Sequence, residues 1–407
     1  MTETEAAFPA PSSPSYAALA ERFRPIFRRI ATDAIQREAE RILPYEPIAW
    51  LKAAGFGALR IPVSDGGLGA TIPELMGLMI ELSAADSNVT QALRAHFGAV
   101  EDILAAGRSD RRARWLPRFV AGDLVGSALS EAAGNTLGSF ETVLKAEGDI
   151  LRLSGTKFYT TGTLYADWVH FAAELDGEIR SGFISATAEG VTRHDDWSGF
   201  GQKLTGSGTT VFDNAPVFPE DVFAFDARSK YRTAFYQLVH LATLSGIGRA
   251  AARDLTDQVA GRRRAYSHGA AGTVQTDPQV LQVVGHVRSL AYAAAAITLQ
   301  TAQATQAVYD LSIGGKAEEA DAATIISEIS VDQAQPVVAK LVLEATETLF
   351  DALGASSTIR ATALDRHWRN ARTLSSHNPL IYKQRIVGDY AVNGTAPPSF
   401  WMVGGVG

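Results

Sequence analysis

There is no cysteine anywhere in this chain of 407 residues. That excludes disulfides, thiolate nucleophiles and cysteine-ligated zinc or iron–sulfur centres. Positive charge is not in excess either. The 37 Lys and Arg face 44 Asp and Glu, a net charge of −7, which argues against a nucleic-acid partner. No run reads as long and apolar enough to span a bilayer, so no membrane partner is expected. Residues 1–15 lack the basic start and apolar stretch of a signal peptide. They read as a mobile leader, and the expected location is cytoplasmic. The glycines of Asp65-Gly66-Gly67-Leu68-Gly69 have no strand and no GxGxxG arrangement around them, so they read as a loop rather than a phosphate cradle.

What is present describes a folded, layered protein. Hydrophobic residues make up 46% and charged residues 20%. A chain this long exceeds one compact core, so two or three domains or layers are expected. Helical periodicity runs from Tyr16 to about Gly122, with Ile26, Ile30, Ala34 and Ile35 on one face. Ile72 to Ala85 reads as a second helix and Thr90 to Ala106 as a third. His96 lies in the third, between Ala95 and Phe97, where a lone histidine is ordinarily a packed core residue. From about Val125 the pattern becomes short strands with Gly and Asp turns. Hairpins are expected about Glu147-Gly148-Asp149 and about Leu175-Asp176-Gly177-Glu178. Helix returns at Arg232 to Gly261, Val280 to Leu311, Ala320 to Ile329 and Val331 to Leu353, with Pro336 near a helix start or at a kink. The expected fold is α+β: a leader at 1–15, a helical domain at 16–124, a small antiparallel β-barrel at 125–225, a four-helix bundle at 226–395 and a tail at 396–407.

One stretch lacks acids. From Asp365 to Pro379 the chain carries Arg366, Arg369, Arg372, His367, His377, Trp368, Asn370 and Asn378, with Asp365 the only acid. Arginine forks, Arg369 among them, suit a phosphate or a planar polar ligand, and histidine passes protons near neutral pH. The plainer reading is a helix end whose basic groups complement the dipole.

Several motifs, in order, resemble the acyl-CoA dehydrogenase superfamily over nearly the whole chain. They are Gly66-Gly67-Leu68-Gly69, Ala128-Leu129-Ser130-Glu131, Ser154-Gly155-Thr156-Lys157-Phe158-Tyr159-Thr160-Thr161-Gly162 and Phe212-Asp213-Asn214-Ala215-Pro216-Val217. The resemblance implies a flavin between the β domain and the bundle, touched by Leu129, Ser130, Tyr159 and Thr161. It also implies a homotetramer. Dehydrogenation of an acyl thioester needs a carboxylate base. The family's two places for it fall here near Ser375 and near Leu238, between Gln237 and Val239, and neither is acidic.

The Arg-His-Trp-Arg-Asn-Ala-Arg-Thr run, followed by His-Asn-Pro, resembles instead the branch that uses reduced flavin and O2, most like the dibenzothiophene monooxygenase group. That resemblance implies His377 and His96 flanking the flavin C4a edge, where a C4a peroxide forms and needs a proton supplied or steadied. Thr161 or Ser130 would hold N5–H, and Ser375 joins the catalytic candidates. Asn135 and Trp197 are further cofactor candidates, Trp197 with an equal reading as a core residue. Arg264, with Arg263 beside it, would meet the flavin phosphate, often across a subunit boundary. Ser356 in Leu353-Gly354-Ala355-Ser356-Ser357 would donate where relatives carry an arginine, which leaves FMN, as FMNH2, with FAD as the alternative. No NAD(P)H-binding domain is visible, so a separate flavin reductase is implied. Around the site His96, Phe97, Phe158, Tyr159, Phe235, Tyr236, Leu238 and Val239 suggest an apolar, aromatic cavity for a small substrate. Two other readings stand beside the monooxygenase: an acyl-CoA dehydrogenase or thioester oxidase, and a degenerate flavin-binding protein.

Overall fold

The computed structural model describes residues 7–131, 140–398 and 400. Ser13 opens the helical order: its side chain accepts the Tyr16 N–H and caps α1 (Pro14–Thr32). Pro14 sits in the first turn, where a missing N–H costs nothing. Tyr16, Leu19, Phe23, Phe27 and Ile30 recur at helical spacing and are buried. Short helices α2 (Ala34–Glu40) and α3 (Tyr45–Ala53) follow. A capping box between Thr71 and Glu74 starts α4 (Ile72–Ala85), which is buried along almost its whole length. Then come α5 (Ser87–Ala92), α6 (Arg94–Ala105) and α7 (Asp110–Val120).

The described part of the expected leader is packed structure. Ser13 and Ser15 donate to Glu74, and Phe8 is buried in the bundle's core with Arg249 and Arg288 over its ring. The Phe8 ring, the Ser13 cap and the two serine bonds to Glu74 hold it to the fold, which composition alone did not reveal.

The middle region is one sheet of β1 (Val125–Ala128), β2 (Val143–Glu147), β3 (Ile150–Lys157), β4 (Trp168–Leu175), β5 (Glu178–Ser185), β6 (Val191–Arg193), β7 (Thr210–Val217) and β8 (Val222–Ala224). The strand order is β6-β7-β3-β2-β4-β5-β8, with β1 beside β4. Both expected hairpins form. Asp176 and Gly177 take φ of 52° and 81°, the paired positive values that a tight two-residue turn requires. The sheet is mixed rather than wholly antiparallel: β1 runs parallel to β4, and Val143 pairs in parallel with Glu174. Alternation of apolar and polar residues is the same in either strand direction, so direction was not legible.

The second helical region is α8 (Arg232–Gly261), α9 (Pro278–Ile313), α10 (Ala317–Thr348), α11 (Asp365–Ser375) and α12 (Leu380–Asn393). The two helices expected on either side of Ser330 are one, α10, with Pro336 in its interior. Phe23, Leu75, Met79, Leu238, Leu241, Val338 and Ala371 belong to a single buried cluster. The two helical regions therefore share a core. One expectation is corrected outright. By length and composition α9 could cross a membrane, and 28% of its apolar window is buried within this chain.

Candidate active site

The chain expected to run as one helix from Thr90 to Ala106 breaks at Leu93, whose N–H bonds Thr90 O at 3.2 Å. The break turns Gln91 and Arg94 together toward α8. Gln91 Nε2 lies 3.2 Å from His240 Nε2. Arg94 Nε donates to Tyr236 O at 3.1 Å, and its guanidinium lies 4.4 Å from the centre of the Tyr236 ring. Tyr236 and His240 are four apart on α8 and share a face. A Cβ at Gly98 would come within 2.4 Å of the Tyr236 ring, so only glycine admits that ring. Across from them the turn between α11 and α12 presents His377. Its ring meets that of His240 edge-on, centroids 4.4 Å apart.

Both imidazoles are neutral at pH 7. Burial, then the charge of Arg94, pushes His240 well below the ordinary value. His377 is an exposed residue whose imidazole packs against the His240 ring; the surrounding protein, then the charge of Arg94, lowers its pKa, with Asn378 opposing. Arg94 is held down to about 10, by burial and by the nearby charge of Arg232, with Tyr236 opposing. No carboxylate pairs with Arg94 among the described residues, and beyond Nε its guanidinium makes no hydrogen bond to them.

A sheet edge meets this cluster. Ser127 N–H donates to Thr161 O and Phe158 N–H donates to Ser130 O, each at 3.0 Å. The two sequence motifs thus lie side by side, with Leu129 half-buried and Ser130 exposed. Thr161 and Ser207 pair their hydroxyls at 2.8 Å. Tyr159 takes a φ of 58°, a costly conformation for an aromatic residue, and leaves its ring 56% exposed. Phe158 and Trp197 flank that ring at 4.7 and 5.9 Å. Gly162 presses against the end of α5, where a Cβ would stand 2.3 Å from Ala92 O. The edge therefore abuts the segment that carries Gln91 and Arg94. A strained, exposed aromatic ring, paired hydroxyls and a neutral histidine fit a planar heterocycle with polar edges.

Other expected residues are placed elsewhere. His96 is fully buried, its Nε2 on Gly57 O at 2.9 Å and its ring against Phe97 and Phe119. Two residues beyond Arg94 is about 200° around a helix, so it faces away from His377. Its pKa falls to about 4, chiefly from burial. The histidine that meets His377 is His240. Ser375 is buried and donates to Arg372 O at 3.0 Å. Arg369 is not a free anion binder: it donates to Glu38 and Asp365, each at 2.8 Å, and to Phe200 O at 3.0 Å. Arg366 and His367 likewise bond Asp254. The acids missing from that stretch of sequence arrive from α2 and α8. Asn135 lies outside the described residues. Phe97, Phe235, Leu238 and Val239 are core residues.

The two segments that carry the phosphate candidates meet each other. Arg262 donates to Leu353 O and Tyr266 reaches Gly354, with Arg264 and Ser356 exposed nearby. Yet Gly261 is 21 residues beyond His240 on α8, about 30 Å along the helix. Within one chain that loop and the histidines are remote. His240, Gln91 and Arg94 were missed by sequence reasoning. The available signal was a lone arginine in an apolar stretch, Ala92 to Val100, and a histidine one turn beyond Tyr236.

This arrangement is that of a helical–sheet–helical flavin fold. Residues 14–123 match the acyl-CoA dehydrogenase N-terminal domain, and 238–380 the C-terminal domain. The chain belongs to the acyl-CoA dehydrogenase superfamily, on its flavin-dependent monooxygenase branch. It is 26% identical to a dibenzothiophene monooxygenase of Mycolicibacterium goodii over 93% of this chain and 94% of that one. It is 24% identical to a probable FMNH2-dependent monooxygenase, SfnC, of Pseudomonas putida, covering 93% and 96%. Its fold is similar to that of TdsC from Paenibacillus sp. A11-2, solved with FMN and indole, at a TM-score of 0.84 and 24% identity over 94% and 98%.

Proposed function

We propose that the protein is the oxygenase of a two-component system. It takes FMNH2 from a separate NAD(P)H-dependent reductase and oxygenates a small organosulfur or aromatic substrate. The observation that carries this reading is the neutral His240–His377 pair beside the Thr161–Tyr159 edge, with no acid near Ser375 or near Leu238, where a dehydrogenase has its base. Gln237 is itself occupied, accepting from Gln335 Nε2 at 2.7 Å. FMN is supported by the relatives' cofactor.

Leu129, Ser130, Tyr159, Thr161 and Trp197 would hold the ring, with Thr161 or Ser130 at its polar edge. Bound reduced flavin supplies the electrons that activate O2. His377, being neutral, has an N–H to offer a developing oxyanion and no imidazolium proton to lose prematurely. His240, steadied by Gln91, fixes the orientation of the His377 ring. Arg264 and Ser356, remote from the histidines of their own chain, would serve the flavin phosphate of a second copy. The largely uncovered apolar window of α9 supports such an assembly, a homotetramer by family likeness. Cytoplasmic location belongs to the same proposal.

The test is stopped-flow mixing of FMNH2-loaded protein with O2 in the absence of substrate. An absorbing transient that precedes oxidised flavin is expected. Single-step reoxidation, with bleaching of bound flavin by an acyl-CoA, would replace this reading with a thioester oxidase.

A further inference from the structure

A chain of three hydroxyls runs inward from the sheet edge. Thr161 Oγ1 lies 2.8 Å from Ser207 Oγ, and Ser207 Oγ lies 2.6 Å from Thr205 Oγ1. Thr205 Oγ1 then donates to Gln202 O at 3.0 Å. Thr205 and Ser207 are buried, while Thr161 is half-buried. The far end of the chain is held in place. Gln202 takes a φ of 52°, and its N–H donates to Asn370 Oδ1 at 2.6 Å. Its side-chain Nε2 donates to Ser87 Oγ at 3.1 Å, and the Leu204 N–H donates to Asn88 Oδ1 at 3.2 Å. Helices α5 and α11 therefore fix the residue whose carbonyl closes the chain.

The direction of these bonds follows from the hydrogens available. A carbonyl oxygen only accepts, and each hydroxyl has one hydrogen to give. Thr205 gives its hydrogen to Gln202 O, so the bond between Thr205 and Ser207 takes its hydrogen from Ser207. The bond between Ser207 and Thr161 then takes its hydrogen from Thr161. Three hydrogens make three bonds in this sense alone. Reversing the chain gives up the Gln202 carbonyl and leaves two. Whatever else Thr161 Oγ1 meets, it therefore meets as an acceptor. The neighbouring Thr160 is no substitute donor, since it is buried and donates to Gly208 O at 2.8 Å.

We propose that Ser207 and Thr205 are positioning residues for the flavin, holding the Thr161 hydroxyl as a hydrogen-bond acceptor. This rests on the reading that puts Thr161 at the flavin's polar edge. Reduced flavin carries a hydrogen on N5, and oxidised flavin carries a lone pair there. An acceptor at that atom takes the N5–H of the reduced ring with all three bonds of the chain kept. To serve the oxidised ring, Thr161 would have to turn its hydrogen away from Ser207. One bond between hydroxyls 2.6 or 2.8 Å apart would then have no hydrogen in it. The chain sets the polarity of Thr161 without touching the flavin itself.

The probes are oxidised FMN and, under anaerobic conditions, FMNH2, each titrated into full-length protein. The readout is the ratio of their dissociation constants. Ser207→Ala frees the Thr161 hydrogen and should move that ratio toward the oxidised form by about fivefold, the scale of one hydrogen bond. Thr205→Val should do the same from one bond further in, and Thr205→Ser should keep the wild-type ratio. Either of the first two variants decides the matter if the other fails to fold. An unchanged ratio, or equal weakening of both redox forms, would overturn the proposal and leave the chain a structural one. Thr161→Val tests the contact itself: unchanged affinity for both forms would remove Thr161 from the flavin, and the proposal with it. The oxygen transient without substrate tests the oxygenase reading separately. A shifted ratio with no transient removes the oxygenase and leaves the hydroxyl chain standing. A transient with an unshifted ratio removes the chain alone.

Discussion

Two basic clusters invite comparison. In α11 the groups Arg366, His367 and Arg369 are answered by Asp254, Glu38 and Asp365. At the α5–α6 break Arg94 bonds Tyr236 O and lies over the Tyr236 ring near the His240–His377 pair, with no carboxylate partner among the described residues. In sequence the α11 cluster fits either a ligand site or a basic helix end, and in the fold its Arg366, His367 and Arg369 form a clamp between α2, α8 and α11. No sequence motif singles out Arg94, and in the fold it joins Gln91, Tyr236 and His240 beside the proposed site. Charge density along a sequence records neither, because the pairing acids come from other elements. What separates a structural from a functional cation is whether the fold itself neutralises it.

Breaking the clamp should have the largest effect. Asp254→Asn leaves Arg366 and Arg253 short of their acid and should cost about 3 kcal/mol, read as urea stability at pH 7. Burial acting alone would raise the Asp254 pKa. The hydrogen bond from His367 and the charges of Arg366 and Arg253 outweigh it and hold the group far below the usual range. His367 is itself pushed down to about 4, chiefly by burial, so at pH 7 the guanidiniums supply the charge. For a depressed acid the stabilisation is present above the unfolded pKa, about 4, and fades as pH falls. The gap between wild type and variant should therefore close in acid.

An unanswered acid sharpens the contrast. Glu328 is buried and accepts the Ala234 N–H at 2.8 Å, while Lys383 pairs with Asp332 instead. Burial, with Asp332 adding, raises its pKa to about 8. Unlike Arg94 it can shed its charge, and at neutral pH it is protonated. A raised acid contributes stability that is full below its unfolded pKa and is lost as pH rises through 8. Glu328→Gln should therefore be more stable than wild type at pH 9, by on the order of 2 kcal/mol, and nearly equal to it at pH 4. Thermal melts across that range would check it, and an unchanged gap at both ends would count against the protonated state.

Within the site, His377→Ala should lower product formed per FMNH2 consumed by at least about tenfold and raise H2O2 to match. FMN affinity should hold. The smallest effect belongs to the histidine that faces the other way. His96→Asn should cost about 1–2 kcal/mol of stability through the lost Gly57 contact and leave the product-to-peroxide ratio unchanged. A coupling defect there would place His96 back in the chemistry.

Much of the architecture was legible. The bounds of α4 and α8 coincide with the helices read from periodicity, and both hairpin turns were marked by Gly and Asp. The two motifs expected to touch flavin were readable in their order, and the structure brings Ser127–Ser130 against Phe158–Thr161. Less was legible at the helix ends. A break at Leu93 carries no glycine or proline, so Gln91 and Arg94 read as one side of a continuous helix.

The sequence by itself determined the order of helical and strand regions, the absence of thiol chemistry and the absence of a carboxylate at both places where a dehydrogenase needs one. Those are properties of residue identity and local periodicity, which neighbours along the chain decide. Tertiary structure alone decided which histidine meets His377 and which arginines are neutralised by acids from other elements. Burial and charge pairing are sums over groups distant in sequence. His96 and His240, alike as single letters, were told apart only when α6 and α8 were packed face to face.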